Sequence, residues 1–209
     1  MRDGGIGRVL VAALHQGIAD LLPARQEFYE SWFSPAGLRA GRIGLAPLTA
    51  VLSFLRREGD GYARVTSRAG EYAADWTVDR ISGLRRAGLR ILPRPLRARL
   101  ALAVVRDLVR QTYGGSRAVV RMRRGGATVD IRSSIFCGVR EPAPAPLCGF
   151  YKAAFARVLA RCDLPAALEI TSCRGTGSSG CFVAITLMPA ESIPGEPAMV
   201  PDPASEASA

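Results

Sequence analysis

The sequence predicts an α+β fold in which N-terminal helices pack with an antiparallel β-β-α-β-β unit. Apolar residues recur at helical spacing through the first half of the chain, and the pattern changes to strand-like segments from about residue 116. Two pairs of these segments are joined by glycine-rich turns and are separated by one more helical pattern. The 209 residues, 48% of them hydrophobic, are enough for one sizeable core.

Five helices are predicted before residue 113. Proline and glycine mark their boundaries: Pro23 and Ser34-Pro35 end two helices, and Gly59 to Gly61 ends a third. The predicted ranges are Val9–Leu22, Ala24–Phe33, a helix from Pro47 to near Glu58, Glu71–Arg86 and Leu96–Thr112. We interpret residues 1–113 as the helical part of one globular domain.

The second half carries the predicted sheet. Ala118–Met122 and Ala127–Ile131 form one hairpin, and Leu168–Cys173 and Cys181–Leu187 form another. A helix over Cys148–Ala160 connects them, and short hairpins predict antiparallel pairing with this helix on one face. Residues 114–188 are therefore a β-β-α-β-β unit, and the Pro, Ala, Ser and Glu composition of residues 189–209 predicts a disordered tail.

The net charge of +10 favours an acidic partner or ligand. The alternative is a GC-rich genome, since the chain has a single lysine, Lys152, and takes nearly all its positive charge from arginine. No helix-turn-helix or RNP-like motif predicts nucleic-acid binding. Because no apolar run approaches the ~20 residues of a membrane helix and the N-terminus is a poor signal peptide, we expect a cytoplasmic protein without a transmembrane segment.

Four of the five cysteines fall at the ends of the predicted strands and helix, and they predict a metal site. Cys173 and Cys181 sit at the two mouths of one hairpin, Cys148 opens the helix, and Cys137 follows the second strand. Zinc in structural sites takes four such ligands, and nearby arginines (Arg132, Arg140, Arg174) would favour thiolates. An iron–sulfur cluster is a less favoured occupant, and four reduced core thiols are the alternative to any metal. Cys162 is interpreted as an ordinary cysteine.

Two further features carry little chemistry. Gly175 to Gly180 satisfies a dinucleotide-binding glycine pattern, but it joins two strands and does not lead from a strand into a helix. The only histidine, His15, lies on an apolar helix, so a Ser-His-Asp arrangement is not expected. No catalytic residue is assigned.

Aromatic and arginine side chains are candidates for binding a ligand. Aromatic residues of the helices could form the core or the wall of an apolar cavity. The arginine-rich stretch from Arg85 to Arg110 could be a solvated helix face, a membrane-surface helix or a clamp for carboxylates. The candidate ligand-binding residues are Arg97, Arg99, Trp76, Tyr72, Phe150 and Tyr151.

Four short segments together resemble the 4-vinyl reductase domain, which is related to the vesicle-tethering TRAPP components. They are Ser134–Cys137, Leu147–Tyr151, Cys173–Gly177 and Cys181-Phe182, and the resemblance covers about residues 114–187. Arg42-Ile43-Gly44 followed by a helix resembles the opening of the bacteriochlorophyll-synthesis members. The resemblance implies a TRAPP-component-like α/β fold, often dimeric, with an apolar ligand cavity.

The resemblance also implies a function. It favours an accessory protein that binds a hydrophobic small molecule, a tetrapyrrole intermediate of bacteriochlorophyll or related biosynthesis, as a homodimer or with a biosynthetic enzyme. The alternatives are an enzyme that reduces an 8-vinyl group and a zinc-containing small-molecule sensor domain. Because no nicotinamide or flavin site is recognisable, we expect binding rather than catalysis.

The zinc ligands of the sensor relatives fall on Cys148, Cys173 and Cys181. Their fourth ligand, a glutamate, falls on Ile170. Glu169 is adjacent, but neighbouring residues of a strand point to opposite faces, so it reaches a metal only through a register change or bulge. Cys137 is therefore the better fourth ligand, with Glu169 as the alternative.

Overall fold

The computed structural model describes residues 6–33, 44–81 and 91–189. Within these ranges the chain forms six α-helices and four β-strands. In chain order they are α1 (Arg8–Leu21), α2 (Gln26–Glu30), α3 (Leu45–Arg57), α4 (Asp60–Asp79), α5 (Arg94–Thr112), β1 (Arg117–Arg123), β2 (Gly126–Arg132), α6 (Gly149–Arg161), β3 (Ala166–Ser172) and β4 (Phe182–Leu187). Short 3₁₀ turns lie at Pro23–Arg25, Ile135–Cys137 and Arg174–Thr176.

The predicted α+β class is confirmed. The strands form one antiparallel sheet in the order β1-β2-β4-β3, so the last strand of the chain lies inside the sheet and β1 and β3 lie at its edges. The predicted first turn is a tight one at Arg124-Gly125, where Gly125 has φ of +75°. Glycine adopts this conformation without the steric cost that a side chain would add.

Helix α4 is the centre of the helical layer, because it packs against both α1 and α6. Close approach is possible because glycines lie at the contacts. A Cβ atom on Gly70 would lie 2.2 Å from the carbonyl oxygen of Phe150 in α6, and one on Gly17 would lie 2.9 Å from that of Val65. Large side chains such as Leu14 and Phe155 then fill the remaining space.

The sheet is covered on one face. Alternate residues of β2, Ala127, Val129 and Ile131, are buried, as expected for a strand with one face on the core. Helix α5 packs beside β1 and α6 packs beside β3. One helical layer and one sheet therefore share a single core that spans the described residues.

One helix differs strongly from its predicted range. The predicted helix begins at Glu71, whereas α4 begins at Asp60, directly after the turn at Gly59 (φ +59°). The first half of α4 buries small residues such as Thr66, Ala69 and Gly70. Large apolar residues are sparse in this stretch, where Tyr62 and Val65 are the buried ones, so the sequence gives a weak helical pattern there.

Several predictions lie outside the described residues. They are the breaker at Ser34-Pro35, the motif that begins at Arg42, the end of the predicted helix near Arg86, and the tail from residue 190. The division into residues 1–113 and 114–188 stays a prediction. None of the helices in the described part of the chain combines the length and hydropathy needed to span a membrane.

Candidate metal centre

Four cysteines meet where the loops at one end of the sheet converge. Cys137 ends the 3₁₀ turn after β2, and Cys148 directly precedes α6. Cys173 follows β3 and Cys181 precedes β4. Their sulfur atoms all lie within 4.8 Å of one another, so the structure brings together the four cysteines that the sequence singles out.

The sulfur–sulfur distances are too long for disulfides, and all five cysteines are free. The Sγ of Cys137 lies 3.1 Å from that of Cys148, 3.4 Å from that of Cys173 and 3.5 Å from that of Cys181. The sulfurs of Cys148 and Cys173 are 3.5 Å apart. Cys148, Cys173 and Cys181 are buried, and Cys137 is half-buried.

Contacts between distant segments hold these loops in place. The amide of Ala143 donates to the carbonyl of Gly175 at 2.6 Å, which joins the loop before α6 to the turn between β3 and β4. Gly175 lies so close to Leu147 that a Cβ would come within 2.7 Å of its side chain. From the helical layer, Tyr62 donates to the carbonyl of Leu147 at 3.1 Å, and Arg56 donates to that of Phe136 at 3.0 Å.

The surroundings favour negative charge on sulfur. The amides of Leu147 and Arg174 donate to the sulfurs of Cys173 and Cys181, each at 3.4 Å. Hydrogen bonds from the neighbouring thiols, that of Cys137 foremost, hold the pKa of Cys173 below its usual range, and the same hydrogen bonds raise the pKa of Cys148.

The donor set fits a single metal ion. Four thiolates around zinc, with Zn–S bonds of ~2.3 Å, form a tetrahedron whose sulfurs are about 3.8 Å apart. The observed separations of 3.1–3.5 Å and the overall limit of 4.8 Å bracket that edge. An iron–sulfur cluster distributes its cysteines over several irons, which requires sulfurs farther apart than those of a mononuclear site.

The alternative ligand lies elsewhere. Glu169 is exposed in the middle of β3, where it pairs with Ala184, and it is not part of the cysteine group. A register shift does occur in β3, but between Ile170 and Ser172, after Glu169. Cys162 is buried at the end of α6 and does not belong to the cluster.

The candidate ligand-binding residues do not form one site. Phe150 and Tyr151 are fully buried and pack with Phe136, their ring centroids 4.8 and 5.5 Å from that of Phe136. Tyr72 and Trp76 are half-buried on α4 and stack at 5.6 Å, and the Tyr72 hydroxyl donates to Asp20.

The two candidate arginines lie on α5. Arg99 is exposed, whereas Arg97 is half-buried with a buried Nε that has no hydrogen-bond partner among the described residues. Among the described residues, no cation–π contact joins Arg97 or Arg99 to the candidate aromatic residues. The sequence-based grouping therefore combines core positions with surface positions.

Two residues that support the cluster are missing from the sequence-based candidates. Arg56 and Tyr62 contact the cysteine loops from α3 and α4, 80 and 85 positions away along the chain. Burial raises the pKa of the Tyr62 hydroxyl, which therefore remains a hydrogen-bond donor. No local pattern marks such long-range partners.

Two of the arginines predicted to favour thiolates direct their side chains to other partners. Arg132 pairs with Asp130, and the Arg174 side chain donates to the carbonyl of Ser179.

No family model matches the chain, and no curated protein matches it in sequence. Among solved structures, the chain is similar to the phenol-responsive sensory domain of the transcription activator PoxR with phenol, at 15% identity over 68% of this chain and 74% of that chain, with a TM-score of 0.44. It is also similar to an H-NOX protein from S. oneidensis in the Fe(II)NO ligation state, at 10% identity over 88% of this chain and 100% of that chain, with a TM-score of 0.48. Both TM-scores lie below 0.5.

Proposed function

We propose that this protein is a ligand-binding accessory protein. One zinc ion would hold together the loops at one end of its sheet, with four ligands: Cys137, Cys148, Cys173 and Cys181. The observation that carries the metal is the convergence of four sulfurs within 4.8 Å. A zinc ion with four thiolate ligands has no open position for water or substrate. The metal therefore has a structural role, and its binding energy contributes to folding.

The proposed ligand is a hydrophobic small molecule, specifically a tetrapyrrole intermediate of bacteriochlorophyll or related biosynthesis. The resemblance of the cysteine-containing segments to the 4-vinyl reductase domain supports this proposal, as does the arginine-rich surface, which could receive carboxylate groups. The half-buried Tyr72–Trp76 pair offers an aromatic surface that a flat ring system could contact. A homodimer belongs to the same proposal.

Elemental analysis tests the metal. Protein purified without a histidine tag should contain close to one zinc per chain, and the quadruple Cys→Ser variant should contain none. Less than about 0.2 zinc or iron per chain in fresh wild-type protein would sink the metal proposal, because a preformed four-thiolate site retains its ion through purification. A coloured protein with iron and acid-labile sulfide would point to a cluster instead.

Titration of a divinyl tetrapyrrole tests the ligand. Saturable spectral changes are expected with wild-type protein, and Trp76→Ala should weaken them about tenfold if the aromatic pair contacts the ring. Unchanged spectra at all concentrations would remove the tetrapyrrole. Formation of monovinyl product with a reduced cofactor would replace the accessory role by a reductase activity.

A further inference from the structure

The seam between α5 and the edge strand β1 contains an open cleft of about 500 Å³. Its lining comes from the second half of α5 and from the start of β1: Ala103, Arg106, Asp107, Arg110, Ser116, Arg117, Ala118 and Val119. The volume is within the range of small-molecule sites, ~300–1,000 Å³. None of the cysteines is among the residues that line the cleft.

Three arginines line this cleft, Arg106 and Arg110 from α5 and Arg117 from β1. The lining contains one carboxylate, that of Asp107. Asp107 is already held by Arg110 and by the amide of Gln111. Within the described part of the chain, no carboxylate pairs with Arg106 or Arg117. Elsewhere arginines do find acidic partners across elements, as Arg157 and Arg161 of α6 do with Asp75 of α4.

The lining also includes apolar residues. Ala103 comes from α5, and Val119 lies on the same face of β1 as Arg117, whereas Ala118 packs against the core. A second hollow of about 300 Å³ lies farther along the same seam, between the start of α5 and the end of β1. Its lining also combines arginines with apolar residues: Arg94 and Arg123 with Met122 and Leu187.

We propose that the cleft between α5 and β1 binds small amphiphilic anions, molecules with a carboxylate or phosphate group on an apolar body. Arg106 and Arg117 hold the anionic group from two sides with paired N–H donors, the geometry in which guanidinium recognises planar or tetrahedral oxyanions. The apolar body lies on Ala103 and Val119. The carbonyl end of α5 lies beyond the cleft at Thr112, where Arg110 in the last turn offsets its negative potential. The inference rests on the proposed ligand-binding role but assigns it a second site, which does not include the Tyr72–Trp76 pair, and it is independent of the metal.

Fluorescence titration with 1-naphthyl phosphate tests the site, with 1-naphthol and inorganic phosphate as the two halves of the probe. At constant ionic strength the wild-type protein should bind 1-naphthyl phosphate at least tenfold more tightly than either half. Arg106→Gln combined with Arg117→Gln should lose this advantage, because both charged donors are gone. Arg121→Gln removes the same charge from the same strand outside the cleft and should bind like wild type.

The outcomes separate this inference from the proposed function. Equal binding of 1-naphthyl phosphate by wild type and the double variant would overturn the cleft as the anion site while leaving ligand binding in place. Binding of 1-naphthol as tightly as the phosphate would also overturn it, because the arginines would then contribute nothing. If none of the three probes binds, the inference is overturned. The metal proposal would still stand, because it is tested separately by the zinc content. Unchanged melting temperatures for the variants, expected at exposed positions, exclude unfolding as the cause.

Discussion

Cys173 and Cys162 are both buried free thiols, yet only Cys173 lies among other sulfurs. Replacing each by alanine removes the same atom and isolates the effect of the metal site. We expect Cys173→Ala to abolish zinc binding and to lower the free energy of unfolding by about 4 kcal/mol, as losses of metal sites do. Cys162→Ala should retain zinc and cost about 1 kcal/mol, as an ordinary core truncation does. Zinc content and denaturant unfolding measure both.

Glu169→Gln provides a second comparison at the same scale. Glu169 is exposed and lies outside the cysteine group, so zinc content and stability should match those of wild type. A loss of zinc in this variant would restore Glu169 as the fourth ligand in place of Cys137.

At the scale of single residues, the sequence predicts the candidate metal-binding cysteines better than it predicts the residues that contact their loops. The four cysteines could be predicted because thiols at strand and helix ends are a strong chemical signal. The choice of Cys137 over Glu169 followed from the pleat, since adjacent strand residues face opposite sides. Arg56 and Tyr62 could not be predicted, because their contacts with the cysteine loops arise from packing between distant helices.

At the scale of elements, the contact between α4 and α6 depends on Gly70. A Cβ there would lie 2.2 Å from the carbonyl oxygen of Phe150, so the two backbones would have to separate. We expect Gly70→Ala to destabilise the protein by about 1–3 kcal/mol, as overpacking does.

Gly149→Ala is the matched control, since its Cβ would meet Thr66 and Ser67 at 3.5 and 3.6 Å, which is ordinary contact. It should leave the melting temperature unchanged or raise it slightly, because alanine favours the helix over glycine. Equal destabilisation by both substitutions would show that the α4–α6 distance is not limited by Gly70.

The same two helices are joined by Asp75, which accepts hydrogen bonds from Arg157 at 2.9 Å and Arg161 at 2.7 Å. Burial acts to raise the pKa of Asp75, but the two guanidinium groups outweigh it, and the pKa lies below its usual range. Because the carboxylate is stabilised in the folded state, its contribution is present above the unfolded pKa of ~3.9 and is lost as pH falls below that value.

We therefore expect Asp75→Asn to lower stability by about 1 kcal/mol at pH 7, the scale of a partly exposed ion pair. The difference from wild type should shrink as pH falls below about 4 and vanish once the folded carboxyl is protonated as well, because both proteins then lack the charge. Thermal unfolding across this pH range measures it. A difference that stays constant with pH would assign the effect of the substitution to packing.

The elements also show where sequence patterns fail. The strands could be predicted to within two residues, because β-branched residues and glycine turns mark them. The predicted start of α4 was wrong by eleven positions, since most residues on its buried face are small and give a weak apolar pattern. The position of β4 between β2 and β3 was not foreseen, because hairpin signals fix which neighbours pair but not which strands become central.

At the scale of the whole molecule, the proposed metal would join the loops at the ends of β2, β3 and β4 with the start of α6. We expect removal of zinc by a chelator to increase amide hydrogen exchange most strongly in residues 133–148 and 173–181. Amides of α1 should keep their protection, since α1 packs chiefly on α4 and not on the cysteine loops. Hydrogen-exchange mass spectrometry measures the pattern.

Re-addition of zinc should restore protection in the two cysteine-containing segments. A uniform loss of protection over the whole chain would instead mean that the ion stabilises the global fold, with no part of the molecule stable in its absence.

The place of β4 inside the sheet has a consequence for synthesis on the ribosome. Cys181 and the strand that pairs with both β2 and β3 are the last of these parts to be translated. The nascent chain therefore carries four thiols, three of them from the cluster, and leaves the β4-facing edges of β2 and β3 unpaired until that segment emerges. Oxidation or aggregation of this protein should be most damaging during that interval, when a chaperone or early zinc delivery would protect it most.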